Sequence, residues 1–527
     1  MSDSGQIGEG KTVLVTGATG GLGVHLVRVL HDRGWRIRGL DCVTLQATRR
    51  EALADDLDVE WIVADGQEID LESCMQGCHA VVHAAAAASL SAPKSTLYRV
   101  NHKFSEQLFR QAAAAGVEQF ALISCASVYR SDARVLTEES ATEPYNDYEQ
   151  SKLDAEDGLR RLRQEVHDAP ALTVLRPGLL YGPGCTTMGA GLIPLPAILR
   201  GISRYLPGLA GGPRTNWCHV EDAAHAVATV LSHDEGRDRL FNVADETALS
   251  FGEVLTAVID AYGIDLGPSV RVPSVALWTL VGPLLDAQWS LHGLREILGV
   301  MWRRVQRAHQ LESPLKPRLN RDALLYLRDD AIVVADKLRQ LGWEPRWRDF
   351  RQGIAPTVRW YQDRGWAPRF DLDAMTERRD AKPPVLGPRQ VANFQGIFTT
   401  DRGDHPLELD LEIAWLSLPI PPGRREGHLQ GHLVIDELEV ETAVQGTVQI
   451  QWLPIPRLVY QFGYRDEQGK TRRFLGHRQL SLAEPLESLL RLEGSVVNER
   501  GEEVALVEAR SVDGVVPLLV ASASSRQ

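Results

Sequence analysis

The chain has 527 residues, of which 44% are hydrophobic and 24% charged, and its formal net charge is -13. This length predicts at least two domains. The acidic balance argues against nucleic acid as a partner, because a phosphate backbone attracts clustered lysine and arginine. Six scattered cysteines exclude a dense disulfide scaffold, and no cysteine or histidine spacing typical of a metal site occurs, so no metal is predicted.

The chain begins with the polar stretch MSDSGQIGEGK, which lacks the apolar core of a signal peptide and therefore favours the cytoplasm. No uncharged run reaches the roughly 18 to 20 residues that span a bilayer. The nearest is 272–285, followed by a segment to residue 307 that is rich in tryptophan and arginine. Two interpretations stay open for it: a peripheral membrane contact, and, preferred, a lid over an apolar pocket. A homodimer is a further hypothesis.

Short apolar strands alternate with helical stretches in the first half of the chain. Helices are expected over 21–33, 102–116 and 148–166, where apolar residues recur with helical spacing. Strands are expected over 11–17, 35–41, 59–65, 80–86, 119–124 and 172–178. This alternation predicts an α/β fold, a Rossmann-type doubly wound parallel sheet with helices on both faces.

The second half changes character twice. Residues 185–368 carry a mixed pattern with amphipathic helices expected over 250–263 and 329–346, and they are predicted to form most of a small substrate-binding region within a first domain, 1–368. Residues 369–390 are charged and contain prolines, which predicts a linker. Residues 391–527 alternate with period two, which predicts a separate antiparallel β sandwich or barrel.

A glycine-rich turn follows the first predicted strand. In VLVTGATGGLG, Gly17, Gly20 and Gly23 permit a tight turn and a close approach of the backbone to a pyrophosphate at a helix N-terminus. Asp41 ends the second strand, where a carboxylate accepts hydrogen bonds from a ribose diol and repels a 2′-phosphate. These residues predict NAD rather than NADP. Arg49 and Arg50 lie far along the chain for contacts with a 2′-phosphate.

Several further motifs occur in one order and spacing. They are TGATGGLG, VAD at 63–65, HAAA at 83–86, Asn101, YEQSK at 148–152, RPGLLYGPG at 176–184 and NWCHVEDAAHA at 216–226. Over about 11–368 the chain therefore resembles the extended short-chain dehydrogenase/reductases. The resemblance implies that Asp65 and Gly66 contact adenine and that Asn101 supports the active-site geometry. It also places Thr19, Leu22, Ala84, Ala85 and Pro177 at the cofactor.

Tyr148 and Lys152 are one helical turn apart and share a helix face. A lysine ammonium beside a phenol is expected to lower the phenol's pKa from its usual value of about 10, so that it exchanges a proton near neutrality. Lys152 can also hold the nicotinamide ribose, and the cofactor carries the hydride chemistry. These two residues are the predicted catalytic pair, and both are counted among the cofactor contacts.

The third catalytic group departs from the motif of the family. In the family that the chain resembles, a serine or threonine three residues before the valine of a strand-end Val-Tyr hydrogen-bonds the reacting oxygen. Counting back from Val128 gives Cys125, and a thiol is a weak donor. Three hypotheses stay open: Cys125 acts weakly, Ser124 or Ser127 substitutes for it, or turnover is impaired.

The substrate is suggested by what the motifs lack. Sugar-nucleotide enzymes of the family usually carry asparagine where this chain has Leu179. RPGLLYGPG, HVEDAAHA and the Trp- and Leu-rich 272–304 look more like the 3β-hydroxysteroid dehydrogenase branch. The resulting hypothesis is an NAD-dependent oxidoreductase that interconverts a secondary alcohol and a ketone on a steroid- or lipid-like substrate. A nucleotide-sugar epimerase or dehydratase and a non-catalytic NAD-binding scaffold are the alternatives.

The C-terminal region resembles, loosely, a β module appended to some cholesterol-oxidase-like proteins. Its strands are predicted from segments such as RLVYQFGYRD and RRFLGHRQLSL. Two hypotheses are kept for its role: lipid binding or docking, and a structural or oligomerisation module.

Overall fold

The computed structural model describes residues 8–64, 69–90, 92–129, 135–202, 206–264, 266–271, 288–317, 329–370, 389–415, 425–438, 440–451, 457–479 and 490–512. The chain divides into two compact units, which we call the sheet unit (Met1–Phe370) and the barrel unit (Asp371–Gln527). The predicted linker 369–390 lies almost wholly outside the described residues.

The sheet unit is built on seven parallel strands. They are β1 (Thr12–Thr16), β2 (Arg36–Asp41), β3 (Val59–Val63), β4 (Ala80–His83), β5 (Gln119–Ile123), β6 (Ala171–Pro177) and β7 (Leu240–Val243). Their order in space is β7-β6-β5-β4-β1-β2-β3. The strands are added to one side of β1 first and then, from β4 onward, to its other side. The boundary between β1 and β4 is the switch point, where such sheets bind ligands. The predicted doubly wound fold is confirmed, and β7 is an additional strand.

Alternate residues of each strand face opposite helix layers. Val13 and Val15 pack in one apolar cluster with α1 (Gly23–Asp32), whereas Leu14 packs in a second cluster on the other side of the sheet. This is the period-two consequence of a strand buried on both faces. The longer helices after α1 are α2 (Phe104–Ala114), α3 (Asp147–Glu165), α4 (Pro194–Ile202), α5 (Val220–Ser232), α6 (Phe251–Ala261), α7 (Gln288–Ala308) and α8 (Phe350–Asp363).

Shorter elements complete the sheet unit. The short helices are Leu45–Thr48, Glu51–Leu53, Leu71–Met75, Lys94–Leu97, Ala126–Val128, Met188–Leu192, Asp234–Gly236 and Asp336–Gln340, with a π-helical turn at Tyr98–Lys103. The short strands are Val135–Leu136, Leu179–Tyr181, Leu206–Ala210, Arg214–Thr215, Trp217–His219, Leu249–Ser250, Leu266–Arg271 and Ile332–Val333.

The helix predicted over 329–346 is largely wrong. Only Asp336–Gln340 is α-helical, and Ile332–Val333 forms a short parallel pair with Val135–Leu136. The β-branched run Ile332 to Val334 explains the difference, because such residues favour extended backbone.

The barrel unit is a closed antiparallel barrel of eight strands, so of the two architectures predicted the barrel is correct. The strands are β8 (Arg389–Thr400), β9 (Gly403–Trp415), β10 (Arg425–Ile435), β11 (Val440–Gln451), β12 (Arg457–Arg465), β13 (Thr471–Gln479), β14 (Arg491–Val497) and β15 (Glu503–Ser511). In β12, for example, Leu458, Tyr460, Phe462 and Tyr464 are buried while the residues between them are more exposed. Closure leaves no free sheet edge, which protects the strands from pairing with other chains.

The segment for which membrane contact was considered is described only in part. Residues 272–287 lie outside the described residues, so the lid and membrane interpretations stay untested there. Further along, Trp302 is buried and its Nε1 donates to the Leu315 carbonyl oxygen at 2.7 Å, whereas Arg303, Arg304 and Arg307 are exposed. Among the described residues, no helix combines the length and apolarity needed to cross a bilayer.

Candidate active site

The carboxyl ends of β1, β2, β4, β5 and β6 open onto one cavity of about 900 Å³. Loops that follow parallel strands meet at this edge of the sheet, so residues distant in sequence converge there. The predicted residues that line the cavity are Gly17, Gly20, Leu22, Gly23, Asp41, Ala84, Ala85, Ser124, Cys125, Tyr148, Lys152 and Pro177. Thr19 and Asn101 lie behind this lining, and Asp65 and Gly66 fall outside the described residues.

The glycine-rich turn leaves no room for side chains. Gly17 has a positive φ of 70°, and a Cβ atom there would lie 2.8 Å from the backbone of Ala85. A Cβ atom on Gly23, the first residue of α1, would lie 2.0 Å from the Gly17 carbonyl oxygen. The turn, the start of α1 and the loop after β4 therefore pack backbone to backbone, with the helix N-terminus at the cavity.

Asp41 is held in place by the same turn. Its Oδ2 atom accepts hydrogen bonds from the backbone nitrogen of Thr19 at 3.0 Å and from the Thr19 hydroxyl at 2.8 Å, and Oδ1 accepts from the Cys42 nitrogen at 2.7 Å. The carboxylate is thus oriented at the end of β2 on the cavity wall. This donor-poor, acceptor-rich arrangement suits a ribose diol, and the backbone-lined turn suits a pyrophosphate, so the residues present fit NAD.

The two arginines after Asp41 differ in environment. Arg49 pairs on the surface with Glu312, with Nη2 to Oε2 at 2.8 Å. Arg50 is buried on the cavity wall, donating from Nε to the Gly184 carbonyl oxygen at 2.7 Å and from Nη1 to the Thr19 carbonyl oxygen at 3.3 Å. Arg50 thus reaches the cavity because the chain folds back after β2, and the prediction that neither arginine contacts a 2′-phosphate stays a prediction.

Asn101 connects the helix of the catalytic pair to the loop after β4. It lies in the π-helical turn, a feature often found at functional sites, and its Oδ1 accepts from the Ala87 nitrogen at 2.8 Å. Its Nδ2 donates to the Ser151 hydroxyl at 2.9 Å, and that hydroxyl donates to the Tyr148 carbonyl oxygen at 2.7 Å. These bonds fix the first turn of α3 against the cavity.

Tyr148 and Lys152 face the cavity from α3, and both are buried. Burial raises the pKa of Tyr148 well above its usual value, and the charges of Cys125 and Glu149 add to the effect. Burial also lowers the pKa of Lys152, whose Nζ donates to the Ile123 carbonyl oxygen at 2.6 Å. The expectation that Lys152 lowers the phenol's pKa is therefore wrong for the protein alone, because desolvation dominates.

Cys125 follows β5 in extended backbone and faces the same cavity. The Ser127 hydroxyl donates to its Sγ atom at 3.1 Å. Burial raises the pKa of the Cys125 thiol to about 11, although the Ser127 hydrogen bond and Lys152 act in the opposite direction. The thiol is therefore neutral at physiological pH and retains its S–H proton.

Ser124 belongs to a different set of contacts. Its hydroxyl donates to Glu156 Oε1 at 2.5 Å. The same carboxylate accepts hydrogen bonds from Nε and Nη2 of Arg176 at 2.9 and 2.6 Å. Tyr129, another residue of the strand-end stretch, donates its hydroxyl to Asn242 Oδ1 at 2.7 Å and lies under the Arg176 guanidinium, 4.5 Å from it. These side chains form a buried polar cluster beside the cavity.

Sequence reasoning missed several cavity residues. Glu149 is fully buried beside Tyr148, and its Oε2 accepts from the Tyr145 nitrogen at 2.7 Å. Its position next to the Tyr-x-x-x-Lys pair was visible in the sequence, but its burial was not. Other cavity residues that were not predicted are Cys42, Arg50, Leu136, Cys185, Thr186, Thr215, Asn216 and Val333. Among the described residues, no group of histidine, cysteine or acidic side chains is arranged to hold a metal.

The fold, the glycine-rich turn and the Tyr/Lys pair together define a nicotinamide-dependent enzyme of the short-chain dehydrogenase/reductase class. Residues 13–244 match the NAD dependent epimerase/dehydratase family. A putative dihydroflavonol 4-reductase from Synechocystis is 30% identical over 370 residues, covering 67% of this chain and 95% of the relative. The chain belongs to this family, and NAD is its cofactor. The alternative of a non-catalytic scaffold is therefore set aside.

Two further relatives act on lipids according to their names. A ceramide reductase from Caulobacter vibrioides is 29% identical over 363 residues, covering 68% of this chain and 96% of the relative. A 3 beta-hydroxysteroid dehydrogenase/Delta 5-->4-isomerase from Mycobacterium tuberculosis is 25% identical and covers 66% and 89%. Among solved structures, a dTDP-glucose 4,6-dehydratase, DesIV from Streptomyces venezuelae, shares the fold with a TM-score of 0.50 at 23% identity, covering 68% of this chain and 98% of that one.

Proposed function

We propose that this protein is an NAD-dependent oxidoreductase that interconverts a secondary alcohol and a ketone on a hydrophobic, steroid- or lipid-like substrate. The observation that carries the proposal is an apolar wall in the cavity that Tyr148 and Lys152 also line. The residues of that wall are Leu136, Leu179, Leu180, Ala331 and Val333. The names of the ceramide reductase and the 3 beta-hydroxysteroid dehydrogenase support the same substrate class.

The catalytic roles follow from the protonation states of the chain's own groups. Hydride exchange at the nicotinamide ring is the chemistry that bound NAD supplies. Tyr148, kept neutral by burial, donates its phenolic proton to the carbonyl oxygen as the carbon is reduced and recovers it in the reverse direction. Lys152 donates to the Ile123 carbonyl oxygen, which orients its ammonium group, and we assign it the role of holding the nicotinamide ribose.

Cys125 is proposed as the second donor to the reacting oxygen. Ser124 is a poor candidate because its hydroxyl proton is committed to Glu156. Ser127 donates to Sγ, which polarises the neutral thiol and favours donation of its S–H proton to the substrate. In this proposal, a weak hydrogen bond from the Cys125 thiol to the reacting oxygen replaces the hydrogen bond from a hydroxyl that the family resemblance implies.

Turnover by the full-length protein tests the proposal. NADH oxidation is measured with a sphingoid-type keto-lipid, a 3-ketosteroid and a neutral short ketone. We expect saturable turnover with one of the two lipids and a far lower rate with the short ketone. Tyr148→Phe should lower kcat by about 10²- to 10⁴-fold while NADH affinity changes little. Tyr145→Phe is the matched control, since Tyr145 also lines the cavity but is about half exposed.

The sugar-nucleotide alternative is separated by a thermal-shift measurement. Selective stabilisation by UDP or dTDP, with none by the lipids, would favour the epimerase or dehydratase. Leu179 argues against that outcome, because it presents no amide to a sugar or its phosphates. Normal turnover by Tyr148→Phe would show that the assigned mechanism is wrong.

A further inference from the structure

In the described part of the barrel unit, one arginine is buried among apolar side chains. Arg478 lies on the inward-facing side of β13 with Phe474 and Gly476, and only 2% of it is exposed. Its neighbours belong to a cluster of buried side chains that includes Phe394, Leu458 and Tyr460. The members of this cluster are apolar or aromatic, and among the described residues Arg478 forms no ion pair.

The Arg478 guanidinium has few partners. Its Nη1 atom lies 3.5 Å from the Tyr460 hydroxyl, at the limit of a hydrogen bond, and among the described residues Nε and Nη2 have no hydrogen-bond partner. The guanidinium stacks over the Phe394 ring at 5.2 Å from its centre. A buried cation that lacks a counter-charge is costly, and cation–π contact replaces only part of its lost hydration. The unbonded nitrogens therefore present donors to an anion.

The position of Arg478 along the barrel places these donors near one end. Arg478 is the penultimate residue of β13, and Arg510 holds the same place in β15. Two more strands whose side chains the structure describes begin with arginine at this end: β12 at Arg457 and β14 at Arg491. We call this the arginine end. The opposite end carries the short β-turn connections, such as 401–402 and 466–470.

Arginine side chains at one end of a barrel attract anions, and an eight-stranded barrel has an interior that side chains can fill or that can accept one small ligand. An amphiphile needs a positive charge for its head group and an apolar surface for its chain. Both occur at Arg478, which lies near the end of the barrel with aromatic side chains beyond it. Gly476 and Gly494 pair across β13 and β14, and the Phe474 ring fills the space that side chains at these two positions would occupy.

We propose that the barrel unit binds an amphiphile with an anionic head group. The carboxylate or phosphate head engages Nε and Nη2 of Arg478, which match two oxygens of such a group. The alkyl chain lies against Phe394, Tyr460 and the apolar residues deeper in the barrel. This site is separate from the cavity at the sheet edge and does not depend on the reaction proposed there.

The test measures binding of dodecanoate, dodecyl phosphate, 1-dodecanol and inorganic phosphate to the full-length protein by calorimetry, with NADH present at saturation. We expect one anionic amphiphile per chain to bind about tenfold or more tightly than 1-dodecanol. Dodecanoate and dodecyl phosphate distinguish the two kinds of head group. Binding of inorganic phosphate as tightly as dodecyl phosphate would overturn the role of the apolar interior.

Variants locate the site. Arg478→Met should lower the affinity for the anionic amphiphile to that of 1-dodecanol, and Arg478→Lys, which keeps the charge but loses the fork, should give an intermediate affinity. The matched control is Arg473→Met on the same strand, where the side chain is exposed on the outward-facing side, and it should bind like the wild type. Equal binding by wild type and both Arg478 variants, or no saturable binding by the wild type, would overturn the proposal. Circular dichroism confirms that each variant is folded.

Discussion

Arg176 in the sheet unit and Arg478 in the barrel unit are each only 2% exposed, yet their surroundings differ. Arg176 forms two hydrogen bonds with the buried Glu156 carboxylate, which also accepts from Ser124 and Arg160. Among the described residues, the polar and ring contacts of Arg478 are one aromatic ring and one distant hydroxyl. The same side chain is thus neutralised inside its own unit in one case and left with free donors in the other.

The difference between the two arginines distinguishes a charge that holds the fold together from a charge that is available to a ligand. Burial alone would raise the pKa of Glu156, but the hydrogen bonds and charge of Arg176 outweigh it and hold that pKa below its usual value. This ion pair fixes β6 to α3 beside the active site, and its two charges neutralise each other. In the barrel, no comparable partner occurs among the described residues, so the charge remains available to a ligand.

Removing the partner of Arg176 is expected to have the largest effect. Glu156→Gln keeps the shape of the side chain but leaves a buried guanidinium without its counter-charge, and the free energy of unfolding of the sheet unit should fall by about 3–5 kcal/mol. Urea unfolding of the full-length protein measures it.

Asp157→Asn is the control for Glu156→Gln. Asp157 is the next residue on the same helix and pairs with Arg160 at the surface. Exposed pairs contribute little, so this change should cost less than about 1 kcal/mol. If the two substitutions cost the same, Arg176 does not depend on Glu156 and the contrast with Arg478 fails.

A second buried polar group of the sheet unit, His83, should make the stability of the unit depend on pH. His83 is buried between the Thr16 and Ser105 hydroxyls at 2.7 and 2.8 Å, and burial, with a smaller effect of Lys152, lowers its pKa to about 3. Between about pH 6.5 and 3 the unfolded state binds a proton that the folded state refuses, so His83 makes stability fall as the pH falls, by up to about 1.4 kcal/mol per pH unit.

His83→Gln should remove this part of the pH dependence, because an amide does not titrate in the range. The exposed His167 provides the control, and His167→Gln should leave the pH profile of stability unchanged. Urea midpoints between pH 7 and pH 4 measure both. An unaltered slope in His83→Gln would mean that other buried groups carry the acid sensitivity.

The barrel arginine should behave in the opposite way to the Glu156 pair. Arg478→Met replaces an uncompensated buried cation by an apolar side chain of similar length, so without ligand the free energy of unfolding should stay the same or rise by about 1 kcal/mol. Thermal unfolding of delipidated protein measures it. A clear loss of stability would show that Arg478 is a structural residue, as Arg176 is.

Much of the sheet unit was predictable because its signals are local. The strand-turn-helix around Gly17 to Gly23 and the Tyr148/Lys152 spacing are set by short-range geometry, and the parallel sheet follows from the alternation of strands and helices. The roles of these residues remain proposals. What the sequence does not contain is which polar groups become partners: Ser124 with Glu156, or Arg50 with Gly184, are joined only by the tertiary fold.

The barrel shows a signal that was present but not used. In TRRFLGHRQ, period-two alternation places Phe474, Gly476 and Arg478 on one face, and the burial of Phe474 then implies that Arg478 also points inward. The number of strands and their closure into a barrel depend on long-range pairing between β8 and β15, which no local pattern specifies.

The smallest effect is expected for Cys125→Ser, which exchanges a thiol for a hydroxyl at the active site. A hydroxyl is a stronger hydrogen-bond donor than a thiol but has a shorter reach, so we expect kcat to rise severalfold, which corresponds to about 1 kcal/mol or less of transition-state stabilisation. Ser127→Ala, which removes the hydroxyl that donates to Sγ, should lower kcat slightly in the wild type and have no effect in the Cys125→Ser background. Steady-state rates with NADH and the same lipid ketone measure all three variants. A large loss of kcat in Cys125→Ser would mean that the thiol is better fitted to its substrate than a hydroxyl, and that the sheet unit, like the barrel, has a polar group whose partner is the ligand.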